Sequence, residues 1–572
     1  MFPGSRRIVV MLCTLGLCAC GACKRSSNPA GDQQRSSQPE WFADVTAASG
    51  LRFVHDSGAT GNYFMPESLG SGGALFDFDN DGRLDVYLVH CVPSNSPVRN
   101  QLFQQQADGT FRDVSAGSGL DVSGYGMGVA SGDVNNDGQA DLLLTEYGRA
   151  RLFVNRGHGK FEDMTAAAGI DNTRWGMSAA FFDYDRDGWL DFVIANYLDY
   201  SPTEKCFDTR GAQEYCGPEG MPGTATKLFR NVGASHVAFP RFIDETVRSG
   251  IARKTGPALG VMCTDFTGDR WPDIFLADDG EPNRLFVNQR DGTFTEEAVS
   301  RGLAYTMLGG TAGNMGVAVG DVNGDELFDV FVTHLTWEHH TLWQQGPRGV
   351  FQDRTAAAGL TSGAWRGTGF GAALADFDFD GAEDLAFVNG QIKRGEDRAQ
   401  RLPGLAPFWF PYAQRNQLFA NDGRGNFHDV SGSNPSFCGL AAVGRALLSG
   451  DIDNDGDIDL IATTAGGPAR LFQNVAPRRG HWLSVRAVYP AHGGRDAIGA
   501  EVTVRVGGKR LWRVVQPGTG YLESNDTRAH FGLGAAATFD GITVIWPDGE
   551  EEHFKEGKAD QFLTLKKGQG EK

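Results

Sequence analysis

The 572-residue sequence predicts an all-β protein: a seven-bladed β-propeller over residues 41–474, followed by a small β-sandwich-like domain over residues 475–569. A carboxylate-rich phrase of the form D-x-D-x-D-G-x-x-D occurs seven times, each time directly before an apolar strand. Two further phrases, close to F-x-D-x-T/S and L-F-x-N, recur with it in the same order. Three landmarks in each repeat predict an architecture in which a single unit cannot bury its apolar face alone.

The first 19 residues are typical of a secretory signal. Arg6 and Arg7 precede an apolar run over residues 8–17, and small residues lead to Cys20. This segment resembles a bacterial lipoprotein signal, which implies that Cys20 is lipidated and becomes the mature N-terminus. An uncleaved anchor helix is the alternative, but about ten apolar residues are too few to cross a hydrocarbon core of roughly 30 Å. Residues 20–40 are polar and predict a flexible tether.

Residues 161–210 contain three strand patterns of one repeat, and the fourth follows after a connection, at residues 227–233. They are FEDMTAAAG, MSAAFFDY, WLDFVIANYL and KLFRNVG, and the turn DYDRDG joins the second to the third. Four strands per unit, repeated radially, make a propeller, and seven copies predict seven blades. A linear β-solenoid is the alternative, but solenoid repeats are shorter.

The seven carboxylate turns are candidate calcium sites, because Ca²⁺ takes six to eight oxygen ligands at roughly 2.3 to 2.6 Å. In the first turn Asp77, Asp79 and Asp81 occupy alternate positions. Gly82 permits the sharp reversal, and Asp85 closes the cage. Asp-Gly turns also cap hairpins without a metal, but four inward carboxylates without a cation would repel one another. We predict ions with a structural role, about five in strong sites and up to seven in all.

These turns resemble those of the FG-GAP or VCBS repeats in the integrin α-subunit propeller. The resemblance implies calcium binding and an extracytoplasmic location. The fourth turn, from Asp265, departs from the pattern with Thr267 and Arg270, so we expect its site to be weak or empty. The fifth turn has Glu326 in place of glycine. Carried over turn by turn, the resemblance implies the ligand sets Asp77, Asp79, Asp81 and Asp85; Asp133, Asn135, Asp137 and Asp141; Asp183, Asp185, Asp187 and Asp191; Asp321, Asn323, Asp325 and Asp329; Asp376, Asp378, Asp380 and Asp384; and Asp451, Asp453, Asp455 and Asp459.

After Asn474 the repeat stops, and alternating strand patterns with glycine turns predict a small sandwich or barrel-like domain. The phrases DAIGA, GTGY, HFGLG and WPDG, which begin at residues 496, 518, 530 and 546, resemble the ASPIC/UnbV domain. Glu523 is a mild departure from the Gln or Ser common there. FG-GAP repeats followed by this domain are the arrangement of the cartilage acidic protein family and its bacterial relatives. That resemblance implies no established reaction for the bacterial members.

Two long insertions are candidates for a binding face. If each carboxylate turn joins the first and second strands of a blade, the loop after the second strand lies on the opposite face, where propellers usually carry function. The first insertion, about residues 199–226, contains Cys206 and Cys216, for which we predict a disulfide because export permits it. The second, about residues 390–415, contains candidate partner-binding residues or, alternatively, aromatics that pack on the blades: Phe408, Trp409, Phe410 and Tyr412.

Composition and motifs restrict the function. A formal net charge of −19 disfavours a nucleic-acid partner. The sequence has no G-x-S-x-G or H-E-x-x-H motif, and the neighbouring His334, Glu338, His339 and His340 do not imply a zinc site. We expect a calcium-stabilised recognition or adhesion scaffold for a protein or glycan partner. It would be held at a membrane only by its lipid, at the outer membrane or cell surface. The alternative is an enzyme or assembly factor for cell-surface polymers that uses the same face.

Overall fold

The computed structural model describes residues 39–233, 240–363, 365–395, 399–518 and 520–572. The expected signal peptide, Cys20, most of the tether and Thr519 therefore lie outside the described residues. The described chain belongs to one compact unit that is built almost wholly of strands, so the predicted all-β class is confirmed. None of the helices in these ranges is long and apolar enough to cross a membrane.

Seven antiparallel sheets follow one another from residue 73 to residue 474. The innermost strand of each sheet contacts that of the next, and the seventh contacts the first, so the sheets form a closed ring of blades. Blade 1 comprises Gly73–Phe76, Asp85–Leu88, Gln101–Gln105 and Phe111–Asp113; blade 2 Gly126–Gly132, Asp141–Glu146, Arg149–Asn155 and Phe161–Asp163; blade 3 Gly176–Phe182, Asp191–Asn196, Lys227–Asn231 and Phe242–Asp244; blade 4 Ala258–Thr264, Asp273–Asp278, Arg284–Asn288 and Phe294–Glu296; blade 5 Val317–Gly320, Asp329–Val332, Thr341–Gln345 and Phe351–Asp353; blade 6 Gly369–Ala375, Asp384–Asn389, Gln417–Asn421 and Phe427–Asp429; and blade 7 Gly444–Gly450, Asp459–Thr464, Arg470–Asn474 and Phe42–Asp44.

The ring is closed by the first strand of the chain. Phe42–Asp44 pairs with Arg470–Asn474, with Phe42 opposite Asn474, so blade 7 combines the two ends of the ring. The sequence pattern groups each F-x-D strand with the carboxylate turn that follows it, and this grouping is wrong. Phe161–Asp163, for example, is the outer strand of blade 2, because the short turn from Asn155 to Phe161 makes a hairpin with Arg149–Asn155.

Glycine allows the inner strands of neighbouring blades to approach closely. A Cβ atom on Gly316 would lie 2.0 Å from the carbonyl oxygen of Phe370, and one on Gly72 would lie 2.3 Å from that of Met127. Contacts this short are impossible for any other residue without backbone movement. The small residues of the first strands are therefore a requirement of the ring.

The C-terminal domain has two main sheets around its own apolar core. That core includes Leu483, Val502, Phe531, Ile542 and Trp546, which come from both sheets. The first sheet contains His481–Tyr489, Arg495–Asp496, Ala529–Gly534 and Gln561–Lys566; the second contains Glu501–Val506, Lys509–Val514, Gly541–Ile545 and Glu551–Phe554; a small pair is formed by Thr538–Phe539 and Gly557–Lys558.

A segment of the C-terminal domain, residues 516–518 and 520–526, enters the centre of the ring; we call it the plug. Its strand Glu523–Ser524 pairs in parallel with Gly73 and Ala74 of blade 1. The fully buried Tyr521 donates its hydroxyl to the carbonyl oxygen of Leu69 at 3.0 Å. Leu69 ends a short helix that approaches from the opposite side, so two segments that are distant in sequence meet on the axis of the ring.

The helices are short and lie in connections. They are Thr46–Ser49, Pro66–Leu69, Ala298–Arg301 and Pro435–Cys438, with 3₁₀ turns at Ile251–Arg253, Pro407–Tyr412, Ser431–Ser433 and Pro490–His492. A separate hairpin in the first insertion pairs Cys206–Phe207 with Gln213–Glu214.

Candidate metal centres and binding face

The carboxylate turns share one hydrogen-bond pattern that holds their side chains. In blade 1 the two carboxylate oxygens of Asp77 accept the backbone N–H groups of Asp81 at 3.0 Å and Gly82 at 2.8 Å. Asp85 begins the second strand and accepts the N–H groups of Phe78 at 3.2 Å and Gln105 at 2.8 Å. The backbone N–H groups alone thus fix the orientation of the first and ninth carboxylates of the turn.

Four turns bring carboxylates from positions one, three and nine together, with one oxygen of each within 4.8 Å of the others. Blades 2 and 5 carry Asn135 and Asn323 at position three, where an amide oxygen can also serve Ca²⁺. At position five of blade 1, one oxygen of Asp81 accepts the N–H of Arg83 at 3.0 Å. The four groups are Asp77, Asp79 and Asp85; Asp183, Asp185 and Asp191; Asp376, Asp378 and Asp384; and Asp451, Asp453 and Asp459.

The two turns that depart in sequence keep the backbone of the others. Gly82 at position six of blade 1 has φ 84°, and Arg270 and Glu326 have φ 72° and 68° at the same position. A left-handed backbone is unfavourable for these side chains. The turn of blade 4 therefore keeps the backbone shape of a calcium loop but lacks the third-position carboxylate, which Thr267 replaces.

The hydrogen bonds of the third-position carboxylates show whether these residues fit a cation. Asp79 receives Nε2 of Gln104 at 2.6 Å on one oxygen, and Asp185 lies 2.5 Å from Nε of Arg230. Asp378 lies 3.0 Å from Nε of Arg479. The other oxygen of each of these three carboxylates is buried and has no hydrogen-bond partner. A buried anionic oxygen without a partner is strongly unfavourable, so these three oxygens fit the role of ligands to a cation.

Burial also disturbs the ionisation of the ninth and first carboxylates. It raises the pKa of Asp85 to about 8, with Asp79 and Asp77 adding repulsion. Burial raises the pKa of Asp376 to about 8 as well, with a further contribution from Asp380. The donors are all oxygen atoms, and the shifts reflect burial and crowded negative charge, so these residues fit a hard divalent cation.

Asparagine at position four joins successive turns, a role that the sequence interpretation missed. Nδ2 of Asn80 donates to the carbonyl of Gly138 at 2.9 Å, and Nδ2 of Asn454 donates to that of Gly82 at 3.1 Å. Asn136 makes the same contact from blade 2 to blade 3. The recurrence of Asn at this position was the available signal.

The C-terminal domain covers the face of the ring that carries these turns. Arg495 donates to Oδ1 of Asn136 at 2.8 Å, and Arg528 donates to the carbonyl of Asp451 at 2.7 Å. Glu551 forms an ion pair with Arg270 of blade 4 at 2.7 Å. These contacts leave the opposite face, which we call the loop face, for the two insertions.

On the loop face Cys206 and Cys216 form a disulfide. The interpretation of the second insertion needs correction, because Trp409 and Tyr412 are only 1% exposed. Trp409 donates Nε1 to Ser57 at 3.2 Å. Tyr412 donates its hydroxyl to Glu214 of the first insertion at 2.5 Å. Tyr412 joins the two insertions, and Trp409 joins the second insertion to the segment before blade 1, so neither side chain can contact a partner in this conformation.

The most exposed aromatic side chains of the loop face lie outside the predicted cluster. Of the predicted cluster, Phe408 is half-buried and Phe410 is 40% exposed. Phe207 and Trp337 are 60% and 63% exposed, and the sequence interpretation did not select either for binding. Their loops show no repeat signal that would have identified them.

Two of the three histidines near blade 5 are core residues, and His339 is exposed. His334 and His340 are buried, and burial lowers the pKa of His334 to about 4. Nε2 of His334 lies 2.8 Å from Oγ1 of Thr341. The candidate metal groups found among the described residues contain no histidine.

Family profiles match the two parts of the chain. The profile described as FG-GAP-like repeat matches residues 77–144, 133–194 and 265–332. The profile described as ASPIC and UnbV matches residues 491–572. The chain therefore contains FG-GAP-like repeats and a C-terminal ASPIC and UnbV domain, as the sequence resemblance predicts.

Among curated proteins the chain is similar to cartilage acidic protein 1. It is 27% identical to the Xenopus tropicalis protein over 533 residues, which is 87% of this chain and 74% of that protein. It is 27% identical to the Homo sapiens protein over 367 residues, 60% of this chain and 50% of that one. The chain therefore spans about three-quarters of the frog relative and half of the human one.

Solved structures give weaker matches. One is described as an Agrocybe aegerita lectin that recognises non-reducing terminal N-acetylglucosamine, with a TM-score of 0.34, 15% identity, and coverage of 63% of this chain and 79% of that chain. Another is BBS1N in complex with ARL6DN, with a TM-score of 0.38, 9% identity, and coverage of 77% and 99%. At these scores neither structure contributes to the argument.

Proposed function

We propose that this protein is an exported scaffold, stabilised by calcium, that recognises a protein or glycan partner with its loop face. The observation that carries the calcium part is the set of buried carboxylate oxygens without partners on Asp79, Asp185 and Asp378. A divalent ion would neutralise each carboxylate group and tie the first strand of the blade to the second. The ions then have a structural role, because the C-terminal domain lies over the turns.

Two features support the loop face as the binding surface. The C-terminal domain covers the face with the carboxylate turns through Arg495, Arg528 and Glu551. Both insertions extend from the other face and are joined by the bond between Tyr412 and Glu214. A rigid scaffold with variable loops is the usual arrangement for recognition in propellers.

The proposed location is extracytoplasmic. FG-GAP-like repeats and the similarity to cartilage acidic protein 1 support it. A lipid on Cys20 would anchor the protein at the outer membrane or cell surface, and labelling with a radioactive fatty acid before and after Cys20→Ser tests this anchor. Unchanged labelling of the variant would contradict lipidation at Cys20.

The calcium part is tested by chelation of the mature protein. We expect removal of divalent ions with excess EDTA to lower the melting temperature by several degrees, and added Ca²⁺ to restore it, because ligand binding to the native state stabilises it. Equilibrium dialysis should give about five bound Ca²⁺ per chain. The triple variant Asp79→Ala, Asp185→Ala and Asp378→Ala removes the third-position oxygen and should lose three of these ions, whereas Asp208→Ala on the loop face should lose none. An unchanged melting temperature in EDTA would remove calcium from the proposal.

A further inference from the structure

The two insertions of the loop face enclose a cleft of about 830 Å³. One wall is the disulfide-linked hairpin with Phe207, Asp208 and Glu214, and the other is formed by residues 393–395 and Pro411. The volume is within the range of roughly 300 to 1,000 Å³ that small-ligand sites occupy. The cleft lies on the side of the ring that the C-terminal domain leaves open.

The polar groups of this cleft are already held in place. Glu214 is buried and accepts the Tyr412 hydroxyl at 2.5 Å and the backbone N–H of Arg394 at 2.9 Å. The Arg394 guanidinium lies over the ring of Tyr63 at 5.2 Å and bonds to its hydroxyl. Asp208 is 3.9 Å from Nη1 of the same arginine. Side chains that are ordered before binding lose little conformational entropy when a ligand arrives.

The charged and aromatic residues that line the cleft indicate which class of ligand it can bind. Asp208, Glu214 and Glu219 are balanced in the wall by Arg210, Lys393 and Arg394, which does not favour a strongly charged ligand. Among the described lining residues, Phe207 alone presents a large exposed ring, since Tyr215 is 1% exposed. A peptide partner needs several apolar anchors in pockets, and these lining residues offer one open ring.

Resting on the proposed recognition function, we propose that this cleft binds a neutral oligosaccharide. The apolar face of one sugar ring would stack on Phe207, because an aromatic ring offers apolar area at a fixed orientation. Hydroxyl groups both donate and accept hydrogen bonds, so they match carboxylate acceptors beside guanidinium donors. Asp208 and Arg394 are the groups placed to make those bonds.

The test uses the mature full-length protein on an array of neutral oligosaccharides, acidic oligosaccharides and unrelated peptides. We expect binding to neutral oligosaccharides, at least a tenfold loss of affinity in Phe207→Ala, and retention in Phe207→Tyr. Trp337→Ala is the matched control, because Trp337 is an equally exposed aromatic on a blade 5 loop outside the cleft. Equal melting temperatures of the three variants and the parent exclude misfolding as the cause of any loss.

Each other outcome overturns the inference in a different way. Oligosaccharide binding that Phe207→Ala leaves unchanged would place the site elsewhere. Binding of peptides alone would reject the sugar class while retaining the scaffold. Failure to bind any oligosaccharide or peptide would count against both the cleft and the proposed recognition function.

Discussion

Truncating Tyr521 should destabilise the ring and the C-terminal domain together. Tyr521 is fully buried, its ring lies 5.0 Å from that of Phe370 in blade 6, and its hydroxyl bonds to Leu69. Replacing a buried aromatic side chain with alanine costs about 3 to 5 kcal/mol. Removing the hydroxyl alone in Tyr521→Phe leaves the Leu69 carbonyl without its donor, which costs about 1 to 2 kcal/mol.

The neighbouring bonds of the plug explain why the effect should spread. The Leu522 amide donates to Ser178 of blade 3 at 3.0 Å, and Glu523 accepts the amide of Leu447 in blade 7 at 3.0 Å. Gln516 donates to the carbonyl of Cys263 in blade 4 at 2.8 Å. Displacing the plug therefore affects inner strands around the ring.

The assay is urea unfolding followed by tryptophan fluorescence and by far-ultraviolet circular dichroism. We expect one shared transition whose midpoint falls in the order parent, Tyr521→Phe, Tyr521→Ala, with a nearly constant slope. Trp337→Ala, an exposed aromatic, should change the free energy of unfolding by no more than about 0.5 kcal/mol. A Tyr521→Ala variant within about 1 kcal/mol of the parent would refute the idea that the plug is part of the folded core.

Three further predictions concern pH, the disulfide and the links between turns. Burial lowers the pKa of His334 to about 4, so between pH 6.5 and pH 4 the unfolded state binds more protons than the folded state. The folded state therefore keeps its full stability above pH 6.5, and its free energy of unfolding falls by about 2 to 3 kcal/mol as the pH falls towards 4. The difference in urea midpoint between the parent and His334→Gln should therefore shrink over this range, and a constant difference would contradict the assignment. The double variant Cys206→Ser and Cys216→Ser removes a disulfide between residues 10 apart, which should cost about 2.5 to 3 kcal/mol in the chain-entropy account. Limited proteolysis should then cut the hairpin of the variant first. Equal resistance of variant and parent to the protease would contradict a stabilising role for the disulfide. Asn454→Gly keeps the left-handed backbone but loses the bonds to Gly82 and Arg528, so we expect about 1 to 2 kcal/mol of destabilisation by urea unfolding. His158→Gly, which also replaces a left-handed residue, should change the free energy of unfolding by no more than about 0.5 kcal/mol.

The carboxylate turns could be predicted from the sequence because their candidate ligands lie within nine residues of one another. Asp77, Asp79 and Asp85 are close in the chain, and backbone N–H groups of the same turn orient two of them. The recurrence of that turn also predicts the all-β fold. Residue spacing was sufficient to predict those parts of the structure in which the contacting residues are close in sequence.

The errors concern contacts between distant residues. A pattern such as Phe161–Asp163 identifies a strand but not which neighbour it pairs with. The burial of Tyr412 depends on Glu214, which is 198 residues away in the other insertion. The bond from Tyr521 to Leu69 joins residues 452 apart. No period or composition in the sequence indicates such a pair.

The plug constrains the order in which the parts of this protein can fold. The ring needs residues 470–474 before its first strand can pair, and its axis is filled by the plug, which leaves the ribosome later still. Contacts that span most of the chain slow folding, because a large loop must close before the contact forms. A nascent chain that stops short of the plug would expose Met127, Met177 and their apolar neighbours around an open hole. We expect such chains to require chaperones and to be degraded, so only a fully synthesised protein would persist in the cell.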